Sequence, residues 1–290
     1  IHDELTWEQL VLTPGLRMEW IQTSRDDRLA PVQTSASRAV ILPGLGAYYG
    51  LTGELGVFAG VHKGFSPISP GQDESVKAES SLNYELGSRY GTDLAKVEVV
   101  GFYNDYSNLV GICTIAGGCP AELQGMQTNV GAATVVGAEV VLQYEVELPA
   151  GMTMPLAASY TYTQGTLNES FESADPIFGD AEAGDFIPYV PEHQAWVQLA
   201  LNHGIFGLAV SGAYTSAMRD QPGQEPLSEV PTSDAYFVVD AALSAQVFEK
   251  LSLYVKGDNV LGEEYIVGRR PYGVRPGKPM RVFLGLKAHY

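Results

Sequence analysis

Twelve strand-like runs cross the chain, and the links between them alternate between short and long. The short links contain two or three residues and lie at 51–53, 91–93, 149–151, 202–204 and 249–250. The long links span 23–37, 63–78, 107–124, 165–190, 218–232 and 262–277. Short turns at one end of a sheet and long loops at the other are typical of an outer-membrane β-barrel. The pattern therefore predicts an all-β chain that forms an antiparallel transmembrane β-barrel.

The alternation within each run supports this prediction. Successive side chains of a strand point to opposite faces, so each run divides into two sets. In the last run one set is aliphatic apart from Tyr290, and the other carries most of the charge: Val282, Leu284, Leu286 and Ala288 against Arg281, Phe283, Gly285, Lys287 and His289. Since unpaired charges are costly to bury, such faces cannot pack a dry core. We expect one face to contact lipid and the other to line a wet or plugged interior.

Composition narrows the function further. The 290 residues include 17 Lys and Arg against 34 Asp and Glu, a net charge of −17. This balance argues against a nucleic-acid partner, whose binding depends on cationic contacts to phosphate. No run approaches eighteen consecutive apolar residues, so no transmembrane helix is predicted. The chain begins with neither an initiator methionine nor a signal sequence, and we expect it to be the C-terminal piece of a larger exported protein.

Several motifs, in order along the chain, carry a resemblance to a known family. They are LTPGLRME at 12–19, YELGSRY at 84–90, FYNDYSNL at 102–109, NVG and GAE within 129–139, YVPEHQ at 189–194 and GDNVLGEEY at 257–265. A basic Gly/Pro loop and an aromatic terminus follow. Together they resemble the TonB-dependent outer-membrane receptors, in particular the ferric-citrate-receptor-like branch.

The resemblance implies that residues 1–290 form the C-terminal part, about twelve strands, of a 22-stranded barrel. The plug domain, its TonB-contacting segment and the early strands are absent from this sequence. The implied function is energy-coupled uptake of a ferric chelate, ferric citrate or another siderophore, across the bacterial outer membrane. The implied partners are that chelate, the TonB complex, and the lipid and lipopolysaccharide of the membrane. The alternative is a self-contained, 12-stranded passive pore.

Charged residues on the predicted inner face are expected to pair structurally. Glu85 and Arg89 share that face of one strand, and Glu98 of the next strand is a candidate partner for Arg89. Asp258 and Asn259 precede the last long loop, where their side chains are expected to cap a turn.

Two cysteines lie in one predicted long loop. Cys113 and Cys119 are separated by a segment that contains two glycines. In an oxidising compartment such a pair favours a local disulfide. A metal site is the alternative, but that loop contains no histidine to complete a set of ligands. The sequence therefore predicts a disulfide and no metal site.

Two long loops differ in charge. The 165–190 loop contains six acidic residues and no Lys or Arg, which favours a solvated, mobile segment or a cation-bridged contact with lipopolysaccharide. The last loop contains Arg269, Arg270 and Arg275 among Pro and Gly. Arginine forks suit carboxylate-rich ligands, so these three residues are the predicted ligand-binding site. The alternative is that the arginines are structural partners of the acidic loop.

The sequence contains little that supports a catalytic function. The five histidines are scattered along the chain, and no phosphate loop, nucleophile elbow or zinc-protease spacing appears. We expect no enzyme activity, no catalytic residues and no cofactor.

Overall fold

The computed structural model describes residues 2–27, 32–72, 75–114 and 119–288. Within these ranges the chain is mostly strand, with single 3-10 turns at Ala121–Leu123, Pro149–Gly151 and Leu227–Glu229. None of the helical segments described is long and apolar enough to cross a membrane. The strands, in chain order, are β1 Leu5–Trp7, β2 Leu10–Asp27, β3 Val32–Gly50, β4 Leu55–Ser66, β5 Glu79–Gly91, β6 Ala95–Ile112, β7 Gln127–Leu148, β8 Met152–Leu167, β9 Phe171–Glu172, β10 Asp180–Ala181, β11 His193–His203, β12 Phe206–Thr215, β13 Met218–Arg219, β14 Thr232–Ser233, β15 Tyr236–Phe248, β16 Leu251–Asp258, β17 Ile266–Gly268, β18 Arg275–Pro276 and β19 Arg281–Ala288.

One 13-stranded antiparallel sheet contains all the long strands, each beside its neighbour in chain order. The twelve predicted runs correspond to β2–β8, β11, β12, β15, β16 and β19, so the antiparallel prediction is confirmed. The remaining strand, β1, forms a tight hairpin with β2, in which Leu5 pairs with Leu12. Turns join the strands at all five predicted short links. In one of them Gly204 has a φ of 57°, a conformation that glycine adopts without steric cost.

The first long link is much shorter than predicted. β2 and β3 remain paired until Asp27 lies opposite Val32, so the predicted loop over 23–37 is wrong. The next strand, β4, pairs with β3 only from Gly44 to Gly50. The outer part of the β2–β3 hairpin therefore pairs with no third strand among the described residues. Backbone hydrogen bonds form this ribbon although its sequence lacks apolar alternation. The β6–β7 ladder likewise continues to Ile112, inside the predicted 107–124 link.

The strand register confirms the two faces of the sheet. Arg89 lies directly opposite Glu98, with 2.6 Å between Nε and Oε2, as the sequence predicted. On the other face the aliphatic residues remain uncovered, and Leu284 is 82% exposed. A sheet with one charged face and one uncovered apolar face is suited to lipid on one side and water on the other.

The sheet is open in the part of the chain that the structure describes. β1 and β19 are its edges, and no ladder joins β19 to β1 or β2. Free edges agree with a portion of a larger barrel. A self-contained 12-stranded pore would require these edges to pair.

The buried apolar residues described lie at the long-loop end of the sheet. Ala133, Leu167 and Ala181 form a small core, and the rings of Tyr106, Phe171 and Phe178 pack against it together with Leu109 and Ile187. Among the described residues, the wall of the sheet forms no comparable core. Packing therefore concentrates where the long loops meet.

Candidate ligand-binding site at the long-loop end

Three long loops meet at one end of the sheet. They connect β8 to β11, β12 to β15 and β16 to β19, and are named loop A (168–192), loop B (216–235) and loop C (259–280). Each contains a two-stranded ladder of its own: β9–β10, β13–β14 and β17–β18, respectively. These ladders give the loops defined shapes despite their length. Loop C carries the three predicted ligand-binding arginines.

Arg269 is held by its Nε atom. This nitrogen donates a hydrogen bond to the carbonyl oxygen of Thr232, at 3.1 Å, and lies 3.2 Å from Oδ2 of Asp220. The Asp220 side chain is 2% exposed, whereas the Arg269 side chain is 38% exposed. Among the described residues, neither terminal nitrogen of Arg269 has a partner. The guanidinium of Arg269 is therefore held at Nε, and its two terminal nitrogens have no partner among the described residues.

Arg270 connects loop C to both other loops. Its Nη1 donates to the carbonyl of Pro176 in loop A at 2.8 Å, and its Nη2 donates to Oε1 of Gln221 in loop B at 3.0 Å. Both terminal nitrogens thus have protein partners. The contact with loop A agrees with the structural role that was the alternative for these arginines.

Arg275 is the most accessible of the three. It is exposed, and its Nη2 contacts the carbonyl of Arg270 at 3.3 Å. The structure thus brings the three arginines into one loop segment with three different environments. Arg269 and Arg275 each use one guanidinium nitrogen in the contacts described, whereas Arg270 uses both terminal nitrogens to bind loops A and B.

Tyr189 also connects loop C to the other loops, a role that sequence reasoning missed. Its hydroxyl accepts hydrogen bonds from the backbone N–H groups of Arg269, at 3.2 Å, and Arg270, at 2.9 Å. Its own N–H donates to the carbonyl of Arg219 in loop B at 3.1 Å. Its backbone has a φ of 58°, which is uncommon for a bulky residue. One tyrosine in loop A therefore contacts both other loops.

The acidic loop A is partly ordered by its own carboxylates. Asp175 accepts hydrogen bonds from the backbone N–H groups of Ile112, at 2.9 Å, and Ile177, at 2.8 Å. Asp185 accepts from the backbone N–H of Glu182, at 2.9 Å, and from the side chain of Gln224, at 3.2 Å. Both carboxylates are buried at 8% exposure. The prediction of a wholly solvated loop is therefore wrong for these two residues, because hydrogen bonds offset the cost of burying them.

Loop C begins with an asparagine cap. Asn259 is 1% exposed; its Oδ1 accepts the N–H of Glu263, and its Nδ2 donates to the carbonyls of Glu263 and Lys278. The predicted capping role is confirmed for Asn259. It is wrong for Asp258, which lies 2.8 Å from both Lys256 and Arg281 on the inner face of the sheet.

The predicted cysteine pair lies between β6 and β7. The two sulfurs of Cys113 and Cys119 are bonded, with Cα atoms 5.7 Å apart. Backbone hydrogen bonds from Cys113 to Met126 and from Gly125 to Cys113 close the base of the segment. In the described part of the chain no group of three potential metal ligands occurs.

Solved structures share the fold. FecA, a ferric citrate transporter in its unliganded form, matches with a TM-score of 0.74 at 16% identity, over 99% of this chain and 44% of that protein. Fiu, a ferric-catecholate import receptor from E. coli K12 in its closed form, gives 0.70 at 18%, over 100% and 44%. PiuA, a siderophore receptor from Acinetobacter baumannii, gives 0.73 at 14%, over 97% and 41%. This chain spans less than half the length of each.

Sequence comparison identifies the family. Residues 1–260 match the family described as TonB dependent receptor-like, beta-barrel. The match includes the open sheet up to β16 and loops A and B. The chain therefore belongs to the TonB-dependent receptor β-barrel family.

Proposed function

We propose that the chain is the C-terminal barrel portion of an outer-membrane receptor that takes up a ferric chelate in a step energised through TonB. Family membership over residues 1–260 is the observation that carries this proposal. The open edges of the sheet support a part of a larger barrel over the passive 12-stranded pore. The TonB complex is the proposed partner on the periplasmic side, and it acts through the N-terminal segment of the full-length receptor.

The proposed ligand is ferric citrate or a related carboxylate-rich chelate, as in the ferric-citrate-receptor-like branch. Arg269, Arg270 and Arg275 form the proposed binding site. Arg269 and Arg275 offer guanidinium donors at the surface of loop C, and Arg270 supports the loop. Guanidinium groups bind carboxylates through paired, charge-assisted hydrogen bonds. This geometry suits an anionic ligand held above the lumen.

The ligand proposal is tested by binding of ferric citrate to the full-length receptor. Arg269→Ala combined with Arg275→Ala should weaken binding about tenfold or more, since each charged hydrogen bond contributes about 1.5–3 kcal/mol. The loss should be larger at low salt than at high salt, because salt screens the attraction. Lys250→Ala, in the short turn between β15 and β16, is the matched control. Unchanged affinity with intact surface expression would contradict the site.

We further propose that loops A–C face the cell exterior, that the short turns face the periplasm, and that the apolar face contacts membrane lipid and lipopolysaccharide. Single cysteines are introduced at Ser173 in loop A and at Thr92 in a short turn, in a cysteine-free receptor. An impermeant thiol reagent on intact cells should label position 173 and leave position 92 unlabelled. The reverse result would overturn the assigned sidedness.

A further inference from the structure

Loop C carries the candidate arginines, and one of them, Arg269, contacts a buried carboxylate of loop B. Asp220 is 1% exposed, and its neighbour in the β13–β14 hairpin, Ser233, is 0% exposed. The Ser233 hydroxyl donates to Oδ1 of Asp220 at 2.9 Å, and the Asp220 N–H donates to the carbonyl of Pro231 at 3.1 Å. These contacts fix the carboxylate inside loop B. Its second oxygen, Oδ2, is left facing Arg269 of loop C.

The charge of Asp220 needs a partner. An isolated buried carboxylate is strongly unfavourable, and only an opposite charge or hydrogen-bond donors make its burial tolerable. Oδ2 accepts no hydrogen bond of good geometry from the described residues, and the guanidinium of Arg269 at 3.2 Å is its partner. The need to neutralise Asp220 therefore holds Arg269 in one place.

The point of attachment determines what Arg269 can do. Nε faces Asp220 and the carbonyl of Thr232, on the inner side of the loop. A guanidinium is planar, so fixing Nε also fixes the direction of its two terminal nitrogens. The Arg269 side chain that carries those nitrogens is 38% exposed. An oriented donor pair loses less entropy on binding a ligand than a free arginine does.

We propose that Asp220 is a positioning residue, which docks loop C on loop B and orients Arg269 towards an anionic, carboxylate-bearing ligand before that ligand arrives. This inference rests on the proposed function, because it gives Arg269 its binding role. Asp220 acts through Arg269 and touches no ligand itself. It also makes the block of loops A–C an assembled structure in the ligand-free receptor.

The test uses the full-length receptor, with ferric citrate as the probe. Asp220→Asn keeps the shape of the side chain and can still accept from Ser233, but it removes the charge that faces Arg269. Asp234→Asn is the matched control, since Asp234 also joins loop B to loop C, through the N–H of Ile266 at 3.2 Å, and forms no hydrogen bond or ion pair with Arg269 among the described residues. Surface expression and heat resistance verify that both variants fold.

The first measurement is a double-mutant cycle on ligand affinity. Asp220→Asn alone should weaken ferric citrate binding about fivefold to tenfold, comparable to one charge-assisted hydrogen bond. In an Arg269→Gln background the same change should have little further effect, because the group to be oriented is gone. A full, additive loss in that background would overturn the positioning role, and so would an Arg269→Gln variant of normal affinity.

The second measurement needs no ligand. Amide hydrogen exchange of residues 266–275 in the ligand-free receptor should become faster in Asp220→Asn and remain close to wild type in Asp234→Asn. Unchanged exchange in Asp220→Asn would overturn the proposed docking. If the wild-type receptor bound no ferric citrate while the exchange result held, the proposed ligand would fail and the docking by Asp220 would stand.

Discussion

The wall of the sheet and the block formed by loops A–C are stabilised in different ways. In the wall, thirteen strands share backbone ladders, and large apolar side chains such as Leu284, 82% exposed, face outward without any protein cover. In the loop block, Leu167 is 1% exposed, and the polar side chains of Asp220 and Asn259 are equally buried. The apolar side chains of the wall are therefore left without a protein partner among the described residues, whereas those of the loop block pack against each other.

Side-chain identity matters more in the loop block than in the wall. In the wall, a residue must suit its face, apolar outside and polar inside, and many residues satisfy that requirement. In the loop block, particular atoms meet, as when the Tyr189 hydroxyl accepts two backbone N–H groups of loop C. Substitutions of similar size should therefore be tolerated in the wall and costly in the loops.

The largest expected effect is loss of the loop core. Leu167→Ala leaves a cavity beside Ala133 and Ala181, and should destabilise loop A locally by about 2–5 kcal/mol. Hydrogen exchange of residues 165–187 in the full-length receptor measures this opening. Leu284→Ala on the outer face is the matched control, and lipid should fill the space it leaves. Equal sensitivity at both positions would contradict the contrast between loop block and wall.

The second prediction concerns the face rule in the wall. Val99 lies on the apolar face of β6, whereas Val100 lies opposite Gly87 and Glu139 on the polar face. Val99→Lys should destabilise the folded receptor by about 2–4 kcal/mol, as cationic side chains do near the bilayer midplane. Val100→Lys should have a much smaller effect, since the ammonium group gains water and a carboxylate neighbour. Urea unfolding in lipid vesicles measures both, and a larger loss at position 100 would reverse our assignment of the faces.

The same contrast explains which features could be predicted from the sequence. Alternation with a period of two predicts strands, faces and the Arg89–Glu98 pair, because all of these follow from neighbours in a regular ladder. The loop contacts join distant positions: Tyr189 and Arg270 are 81 residues apart, and Arg270 and Pro176 are 94 apart. No local pattern marks Asp220 as buried. The prediction of a loop over 23–37 was wrong for a related reason. The ladder there has no apolar face, so the sequence lacks the alternation that indicates a strand.

A smaller effect is expected from removing one hydroxyl of the loop block. Tyr189→Phe leaves the N–H groups of Arg269 and Arg270 without their acceptor, which should cost about 1–3 kcal/mol of local stability. Hydrogen exchange at these two amides provides the measurement. Tyr272, in loop C, is 81% exposed, and Tyr272→Phe should leave the exchange of both amides unchanged. If Tyr189→Phe also had no effect, loop C would be held mainly by its arginine side chains.

The smallest effect on the barrel is expected from the cysteine pair. A Cys113–Cys119 bridge closes a short segment, so its entropic contribution is about 2–3 kcal/mol at most, and it acts on the β6–β7 loop alone. Cys113→Ser with Cys119→Ser should therefore leave the receptor folded and heat-resistant, with faster proteolysis confined to that loop. Thiol titration of denatured, non-reduced protein checks the bond itself and should detect no free thiol. Two titrating thiols would refute the bridge, and a receptor that lost heat resistance would show that a loop outside the block of loops A–C also stabilises the wall.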